Sequence, residues 1–475
     1  MKKILTIVLA VLLLDSCSKM LEEHPRAIAS ETFYKTPDEV VDAVNSAYAS
    51  LLEGGYTTYF TNLAACADNV YAKGSLAIID EYQGFSTSNI TNMGGVWKQL
   101  YLAIRNANLV ISNLAKNTNL PDDQKRQFIG EVKFVRAFCY FNLVRLWAGV
   151  PLRTEDNMDE IDLKRSSKDE VYDLIVSDLK FAEENLPDAP RMLGTASKWV
   201  AKTVLADVYL TQENWAKSME EAGDVIASGK FSLVKVSTPE DFEKIYGADV
   251  LTSSEEIFYF KYNSQHSWSL MSFFHHDGDG YYPHGPNYFA FYTTSDNYFY
   301  EHWDNNDLRK QHDFYKWDIG LGDNTFLFRK YVDQDGSTPP SNDWPIYRYA
   351  EVLLIYAEAA DRAEKGPTPE AVECLNKVHR RAYGYDPDAP SPVDFNMVNY
   401  NEESFFNLVF REKGYETILE CKRWLDLLRT HQAASMIKKT LNIDVDTAMY
   451  LFPIPITETD FNKAIDPVKD QNPGY

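Results

Sequence analysis

The stretch ASKWVAKTVLADVYLTQENWAKSMEEA, residues 196–222, decides the fold class. Residues 196–210 and the segment that starts at Trp215 both have the apolar spacing of helices, and only residues 211–214 separate them. Small side chains recur where two such helices must approach closely, at Ala201, Ala206, Ala216 and Ala222, with Tyr209 among them. We therefore predict two antiparallel helices that pack against each other.

The same helical pattern extends outward from this pair. The turn before Trp215 and the Ala/Tyr spacing resemble those of a tetratricopeptide unit without its full consensus, and residues 350–360 indicate a second unit. Thr36 and Glu39 form a capping box that starts the first helix at Pro37. Further helices are predicted at 97–108, 134–147, 168–186, 196–211, 214–228, 344–364, 368–383 and 403–430. The prediction is a mostly α protein, an α-solenoid of about four degenerate helix pairs.

Residues 231–343 do not have this helical period. Residues 257–262 alternate like a short strand, and 17 of the 46 residues from Phe258 to Trp303 are aromatic. We predict a long irregular, aromatic-rich insertion with short strands that carries the ligand site, because loops on a rigid scaffold usually carry binding residues. One domain, 36–475, would contain the scaffold (about 36–230 and 344–430), this insertion and an extended C-terminal segment, 440–475.

The N-terminus has the pattern of a lipoprotein signal. Two lysines precede an apolar run, residues 4–14, that is too short to span a bilayer. Residues 14–17, Leu-Asp-Ser-Cys, resemble a lipobox, although Asp15 departs from its small-residue preference. We predict a signal peptide at 1–16, lipidation of Cys17 and a tether at 17–35. The alternative is an ordinary secreted protein in which Cys17 is incidental.

Composition excludes several classes of protein. The chain has 475 residues, 45% hydrophobic and 14% aromatic, so it is not a disordered chain. Its net charge of −23 argues against nucleic acid as a partner. Cysteines at 66, 139, 374 and 421 form no C-x-x-C pair, which favours small buried side chains, with a disulfide left open. A P-loop, a dinucleotide glycine pattern and a Ser-His-Asp elbow are absent from the sequence.

Motifs in order along the whole chain resemble those of the SusD/RagB family of Bacteroidetes surface glycan-binding lipoproteins. Residues 97–108, with W-x-x-x-Y followed by I-x-x-x-N, and residues 131–143, EVKFVRAFCYFNL, are similar to two family helices. Residues 344–359, WPIYRYAEVLLIYAEA, resemble the R-Y-A-E-x-L-L-x-Y-A-E-A motif. Further family-like stretches lie at 21–25, 33–36, 149–152, 376–382, 410–429, 453–455 and 471–475.

The resemblance implies a non-catalytic glycan-binding lipoprotein of the outer membrane that faces the cell exterior. Its implied partner is a SusC-like TonB-dependent transporter, to which it would deliver oligosaccharides for nutrient uptake, with membrane contact through the lipid only. The alternative is a helical-repeat adaptor or lid whose main ligand is the transporter itself or a peptide cargo. Arg348, Glu351, Glu358 and Arg411 lie on predicted helices, where we expect buried or half-buried ion pairs that hold the helices in register.

Glycan binding needs ring faces for sugar C–H surfaces and planar polar groups for hydroxyls. The insertion supplies candidate residues in polar or Gly/Pro-containing stretches: Trp268, Tyr281, Tyr282, Trp303, Trp317, His266, Asn287, Asp296 and Asn297. The alternative is that most of these rings build a small local core. The segment before Trp97 adds Tyr82, and the resemblance places a sugar-contacting acid at Asp68.

No cofactor or metal ion is predicted, and no catalytic residues. The Asp277-Gly278-Asp279-Gly280 stretch leaves calcium as an alternative, but no Glu follows at the distance that an EF-hand loop requires. A glycosidase needs two carboxylates at a fixed separation, and 70 acidic residues produce many chance pairs. The sequence therefore favours capture of a ligand over chemistry on it.

Overall fold

The computed structural model describes residues 34–52, 55–268, 270–336 and 338–475. The predicted signal peptide (1–16), Cys17 and the tether up to residue 33 lie outside the described residues. In the part of the chain that is described, no helix is long and apolar enough to cross a membrane.

The described chain is mostly helical, as predicted. The helices are α1 Pro37–Leu52, α2 Gly55–Ala65, α3 Ala77–Asp80, α4 Thr87–Ala115, α5 Asp122–Trp147, α6 Lys168–Asn185, α7 Lys198–Thr211, α8 Trp215–Ala227, α9 Glu243–Tyr246, α10 Tyr298–Glu301, α11 Leu308–Asp313, α12 Tyr349–Glu364, α13 Pro369–Ala382, α14 Glu402–Glu416, α15 Arg423–Arg429, α16 Ala433–Leu441 and α17 Ile456–Phe461. Short 3-10 turns lie at Gly74–Leu76, Pro239–Phe242, Leu270–Phe273, Met397–Asn399 and Thr447–Tyr450.

Two small antiparallel sheets interrupt the helices. The strands are β1 Tyr71–Ala72, β2 Glu256–Phe260, β3 Phe291–Thr294, β4 Phe314–Lys316, β5 Thr325–Phe328 and β6 Trp344–Arg348. Four of them form a sheet in the order β1-β3-β5-β4, and β2 pairs with β6. The short strands predicted for the insertion are therefore present, and β1 joins them from the segment before α4.

The helix pair from which the prediction started is present as α7 and α8. The turn between them is closed by the Asn214 N–H, which donates to the Tyr209 carbonyl at 2.8 Å. The helices approach closely at Ala206, whose carbonyl accepts from Ser218 Oγ at 2.8 Å. Because Ala206 has only a methyl group, the two backbones can come this near. The predicted number of repeats stays a prediction.

Two predicted helices are wrong in part. Residues 344–348 were included in a helix, but they form β6, in which Trp344 pairs with Phe260 and Arg348 with Glu256. The predicted helix 403–430 is divided into α14 and α15, because Leu419 and Cys421 between them have φ values of 57° and 58°. Non-glycine residues in this left-handed region cannot continue an α-helix.

The core is built around α5, whose residues from Glu131 to Val144 are almost all buried. Helices α4 and α6 pack on it, and α1 packs on α4. Its Arg136 is 1% exposed and donates to Asp178 on α6 through Nε at 2.6 Å and to Asn108 on α4 through Nη1 at 2.7 Å. The family-like motif at 131–143 thus holds three helices together.

A second set of buried charges joins the insertion to the C-terminal helices. Arg348 is fully buried and contacts Glu255 at 3.2 Å, Glu416 at 2.8 Å and Glu420 at 2.6 Å. Arg381 binds the same Glu255 at 2.6 Å and Glu416 at 2.5 Å. We call these five residues the ion cluster. These ion pairs lie in an interior where an unpaired charge would be very costly, although among the described residues Arg381 Nε has no hydrogen-bond partner.

The predicted ion pairs are present for three of four residues. Arg348 belongs to the ion cluster, Glu351 pairs with Lys422, and Glu358 accepts from Nη1 and Nη2 of Arg429 at 2.5 and 2.7 Å. The prediction is wrong for Arg411, whose side chain is 52% exposed and lies 3.9 Å from Glu412. It lies on the face of α14 that points away from the core. The four cysteines are buried and unpaired.

Asp361 on α12 gives a prediction about stability. It is fully buried, and among the described residues neither of its carboxylate oxygens has a hydrogen-bond partner. Burial raises the pKa of Asp361 from 3.8 to about 7, against the charge of Arg362. Since the pKa is higher in the folded state, stability is lost as pH rises from about 4 through about 7.

We expect Asp361→Asn to raise Tm at pH 8 and to change it much less at pH 4, because at pH 4 the acid is neutral in the folded protein and only partly ionised in the unfolded chain. Thermal unfolding followed by circular dichroism at the two pH values measures this. Glu364→Gln, close by on the same helix, is the matched control for removal of one charge. An Asp361→Asn effect of equal size at both pH values would contradict the prediction.

Candidate ligand-binding site

A loop of the insertion, residues 275–289, is held against the four-stranded sheet by polar contacts. His275 is buried, with Nε2 2.7 Å from the Tyr331 carbonyl and Nδ1 3.2 Å from Asp279. Asp279 also accepts from the N–H groups of His276 at 2.9 Å and Tyr281 at 2.8 Å. The carboxylate of Asp279 is therefore the centre on which the loop is organised.

Asp279 has a further partner on the sheet, the hydroxyl of Tyr315 in β4. Burial by itself raises the pKa of Asp279, but the hydrogen bonds from His275 and Tyr315 and that from the His276 N–H outweigh it and hold the pKa well below its usual range. Asp279 is consequently ionised at neutral pH and keeps the loop and β4 together.

Five half-buried rings form a continuous surface here, which we call the aromatic strip: Tyr281, Tyr315, Trp317, His276 and Phe289. The centroid distances along it are 4.9 Å from Tyr281 to Tyr315, then 6.1 Å to Trp317. They are 5.3 Å from Trp317 to His276 and 4.7 Å from His276 to Phe289. Each ring is partly covered by its neighbours and partly open to solvent.

Backbone conformation brings the end of the strip into place. Phe289 has φ of 35°, a value that L-residues rarely adopt, and the Lys73 ammonium lies 3.2 Å from its ring centroid. The Lys73 N–H donates to the Ala290 carbonyl at 2.9 Å. Strain of this kind persists where the surroundings hold it, and it is found preferentially at ligand sites. Burial lowers the pKa of Lys73.

The rim of the strip contains polar groups and close backbone. Asp277 is exposed, and its Oδ1 accepts from the Asn287 N–H at 2.7 Å. Gly278 lies directly against the indole, since a Cβ there would be 3.5 Å from Trp317 Cζ2. Tyr288 is 52% exposed and its ring lies 5.2 Å from that of Phe273. Apolar ring surface beside a few polar groups is the typical composition of a ligand site.

Of the predicted ligand residues, Tyr281 and Trp317 are brought together in the strip. Tyr315, His276, Phe289 and Lys73 were missed. Tyr315 and Trp317 are two residues apart at the end of a strand. This alternation of rings is the sequence feature that could have identified Tyr315. Nothing in the sequence indicated that Lys73 lies near Phe289, because this contact depends on the pairing of β1 with β3.

Two predicted residues lie elsewhere on the molecule. Trp268 is half-buried, and its ring is covered by Tyr262 at 4.4 Å and meets Trp344 edge-on at 5.6 Å. Tyr262 thus covers one face of the Trp268 ring, and ligand stacking on Trp268 stays a prediction. His266 is exposed and belongs to a cavity of about 330 Å³ beside Met192 and Leu193.

Two more predicted rings are interior, and so is the amide predicted beside them. Tyr282 is 1% exposed and stacks on His275 at 5.2 Å, while Trp303 is 2% exposed and stacks on Tyr415 at 4.3 Å. Asn287 is buried and donates to the Tyr282 carbonyl at 2.7 Å. These residues form the small local core that was the alternative at the sequence level, so their prediction as surface ligand contacts is corrected.

The residues carried over from the segment before α4 are also interior. Asp68 is fully buried and accepts from Arg423 through Nε at 2.7 Å and Nη2 at 2.9 Å. Tyr82 is buried, and its hydroxyl donates to the Cys66 carbonyl at 2.6 Å. Both predictions of ligand contact are corrected, because neither side chain reaches the surface. Asn297 is buried as the cap of α10, whereas Asp296 is exposed.

Within the described residues, no group of three or more His, Cys, Asp or Glu side chains could hold a metal ion. Asp277 and Asp279 are engaged by backbone N–H groups of their own loop. The absence of a cofactor stays a prediction.

Two family models match the chain. Residues 19–210 match a SusD-like model described as starch-binding associating with outer membrane, and residues 257–475 match the model of the SusD family, SusD_RagB. The chain belongs to the SusD/RagB family. Members of this family bind carbohydrates and are not enzymes, which agrees with the prediction made from the sequence.

Individual proteins resemble this SusD/RagB chain over nearly its full length. SusD-like protein P2 of Formosa agariphila is 29% identical, with 99% of each chain covered. A SusD homolog from Bacteroides thetaiotaomicron has a TM-score of 0.78 at 21% identity and covers 94% of this chain and 98% of its own. Surface glycan-binding protein A from Bacteroides fluxus has a TM-score of 0.75 at 23% identity, with coverage of 93% and 100%. These two solved structures have the same fold as this chain.

Proposed function

We propose that this SusD/RagB protein binds a glycan chain on the aromatic strip. The observation that carries the proposal is the strip itself, in which Tyr281, Trp317 and Phe289 present ring surface beside exposed polar groups. Sugar rings have C–H faces that pack on aromatic rings, and their hydroxyls need polar partners at the edge. The name of the Bacteroides fluxus protein, surface glycan-binding protein A, supports the same function for this fold.

Binding on such a surface is capture without bond making. The rings are half-buried and held by their neighbours, so little conformational entropy is lost when a ligand lies on them. The loop is fixed by Asp279 in its ionised form, which orients Tyr315 through its hydroxyl. We expect a moderate affinity that comes mainly from ring contacts, so that the bound glycan dissociates readily.

We further propose that the protein is anchored in the outer membrane through lipid on Cys17, faces the cell exterior and delivers its ligand to a SusC-like TonB-dependent transporter. The sequence pattern around Cys17 and the family description of outer-membrane association support this. Co-purification of the full chain with the transporter tests the partnership. Stable co-purification without binding to any glycan would favour the adaptor alternative.

Substitution in the strip tests glycan binding. Trp317→Ala and Tyr281→Ala are each expected to weaken binding about two- to twelvefold, since one aromatic contact contributes roughly 0.5–1.5 kcal/mol. Affinity electrophoresis against a panel of polysaccharides identifies a ligand, and isothermal titration calorimetry with its oligosaccharides measures the change.

Tyr385→Ala is the control, because Tyr385 is 41% exposed and lies outside the strip. Thermal unfolding must show that all three variants are folded. Equal affinity of the Trp317→Ala variant and the original protein would remove the strip from the site. No retention by any polysaccharide would count against glycan binding itself.

A further inference from the structure

A second cavity lies between α10, α14 and α16, and it shares no residue with the aromatic strip. Its volume is about 410 Å³, within the range of small-ligand sites. The side chains that matter for its chemistry are Tyr298, His302, Asn407, Arg411, Gln432 and Lys439. Asn407 and Arg411 are four residues apart on α14, so they lie on the same face of that helix.

One wall of this cavity is a pair of stacked rings. Tyr298 and His302 lie 3.9 Å apart between centroids with an interplanar angle of 25°, and His302 Nδ1 is 2.9 Å from the Tyr298 carbonyl. The Lys439 ammonium lies 4.8 Å from the Tyr298 centroid. Tyr298 is half-buried and His302 exposed, so the wall reaches the surface.

Two cations at the cavity lack the close acidic partners that most charged side chains here possess. In the part of the chain that is described, Arg411 has only Glu412 within ion-pair distance, at 3.9 Å, and that carboxylate is already bound by Arg309 at 2.9 Å. Within the described residues Lys439 has no ion pair, whereas its neighbour Lys438 pairs with Asp444 at 2.8 Å.

This arrangement is unusual in a protein with a net charge of −23, where acids are plentiful. Glu301 is the acid at the rim, 3.9 Å from His302 and largely exposed. Two available cations in a concave site that also has an aromatic wall and two amides fit an anionic ligand with an apolar face.

We propose that this cavity binds an anionic sugar unit of a glycan, one that carries a carboxylate or a sulfate ester. The sugar face packs on the wall formed by Tyr298 and His302, Arg411 and Lys439 bind the anionic group, and the amides of Asn407 and Gln432 bind hydroxyls. Arg411 presents two parallel N–H donors, a geometry that suits both carboxylate and sulfate. The inference rests on the proposed glycan-binding function and adds a second site with a preference for charge.

The test uses pairs of oligosaccharides that differ only in charge. Tetramers of glucuronate, galacturonate and mannuronate are each compared with their methyl esters, and a sulfated tetrasaccharide with its desulfated form. We expect at least one charged member to bind at least fivefold more tightly than its neutral partner in calorimetry at low salt. The preference should shrink as ionic strength rises, since salt screens exposed charges. Which pair shows it distinguishes carboxylate from sulfate.

Arg411→Gln and Lys439→Gln are each expected to reduce this preference, and the double variant to abolish it, while binding of the neutral partner stays unchanged. Lys438→Gln removes one charge from the next residue of α16 and serves as the matched control. A preference that survives the double variant, or no charge preference in any pair, would overturn the inference. If neutral glycans still bind in a way that depends on Trp317, the proposed function stands although this inference fails.

Discussion

Arg348→Ala is expected to lower the free energy of unfolding by about 3–5 kcal/mol, the cost of breaking a buried ion pair by removing one partner. Arg348 is fully buried and binds Glu255, Glu416 and Glu420 at 2.6–3.2 Å. Without it, three carboxylates stay in the interior with fewer cations to compensate them. Urea unfolding at pH 7, followed by tryptophan fluorescence, measures the change.

Lys235→Ala is the control for this result, because Lys235 forms an exposed ion pair with Asp386 at 2.8 Å. Exposed ion pairs contribute little to stability, so the control should differ little from the original protein. If Arg348→Ala were no more destabilising than Lys235→Ala, the ion cluster would not have the structural importance that we assign to it. If Arg348→Ala does not fold, Arg348→Lys keeps one charge and allows a smaller loss to be measured.

Asp68→Ala is the second change with a large expected effect, again about 3–5 kcal/mol of lost stability. Asp68 is fully buried and binds Arg423 through two hydrogen bonds of 2.7 and 2.9 Å. Its removal leaves the buried guanidinium without its carboxylate. The glycan affinity of the folded protein should not change, because Asp68 does not reach the surface.

Stability and glycan affinity, measured on the same Asp68→Ala preparation, distinguish a structural role of Asp68 from a role in ligand contact. Trp317→Ala should show the opposite pattern, with weaker glycan binding and a much smaller loss of stability. Weaker binding by Asp68→Ala with unchanged stability would restore Asp68 as a sugar-contacting acid. Asp68→Asn retains the shape of the side chain and replaces the alanine variant if that variant does not fold.

Local features of the sequence predicted the helices well. The cap at Thr36 is present, with its side chain accepting from the Glu39 N–H at 3.3 Å and the Glu39 carboxylate accepting from the Thr36 N–H at 2.9 Å. The helices predicted at 168–186 and 368–383 are present as Lys168–Asn185 and Pro369–Ala382. Caps and apolar spacing act within one or two turns, so neighbouring residues contain the information.

The ligand residues were harder to predict because an aromatic ring serves a core and a ligand surface equally well. Trp303 and Trp317 both lie in polar stretches of the insertion, yet Trp303 is 2% exposed and stacked on Tyr415 while Trp317 lies half-buried in the strip. Arg411 shows the same ambiguity for charge, since its motif suggested a buried ion pair and its side chain is exposed.

The sequence alone determined the helical class, the boundaries of several helices and the family, because caps, periodicity and motif order are properties of the chain itself. Only the tertiary structure decided which rings face solvent, which charges pair in the interior and which segments become strands. Residues 344–348 are apolar enough for a helix, and they form a strand because Glu256–Phe260, far away in sequence, supplies the hydrogen-bonding edge. Such contacts depend on distant residues, which no local pattern reports.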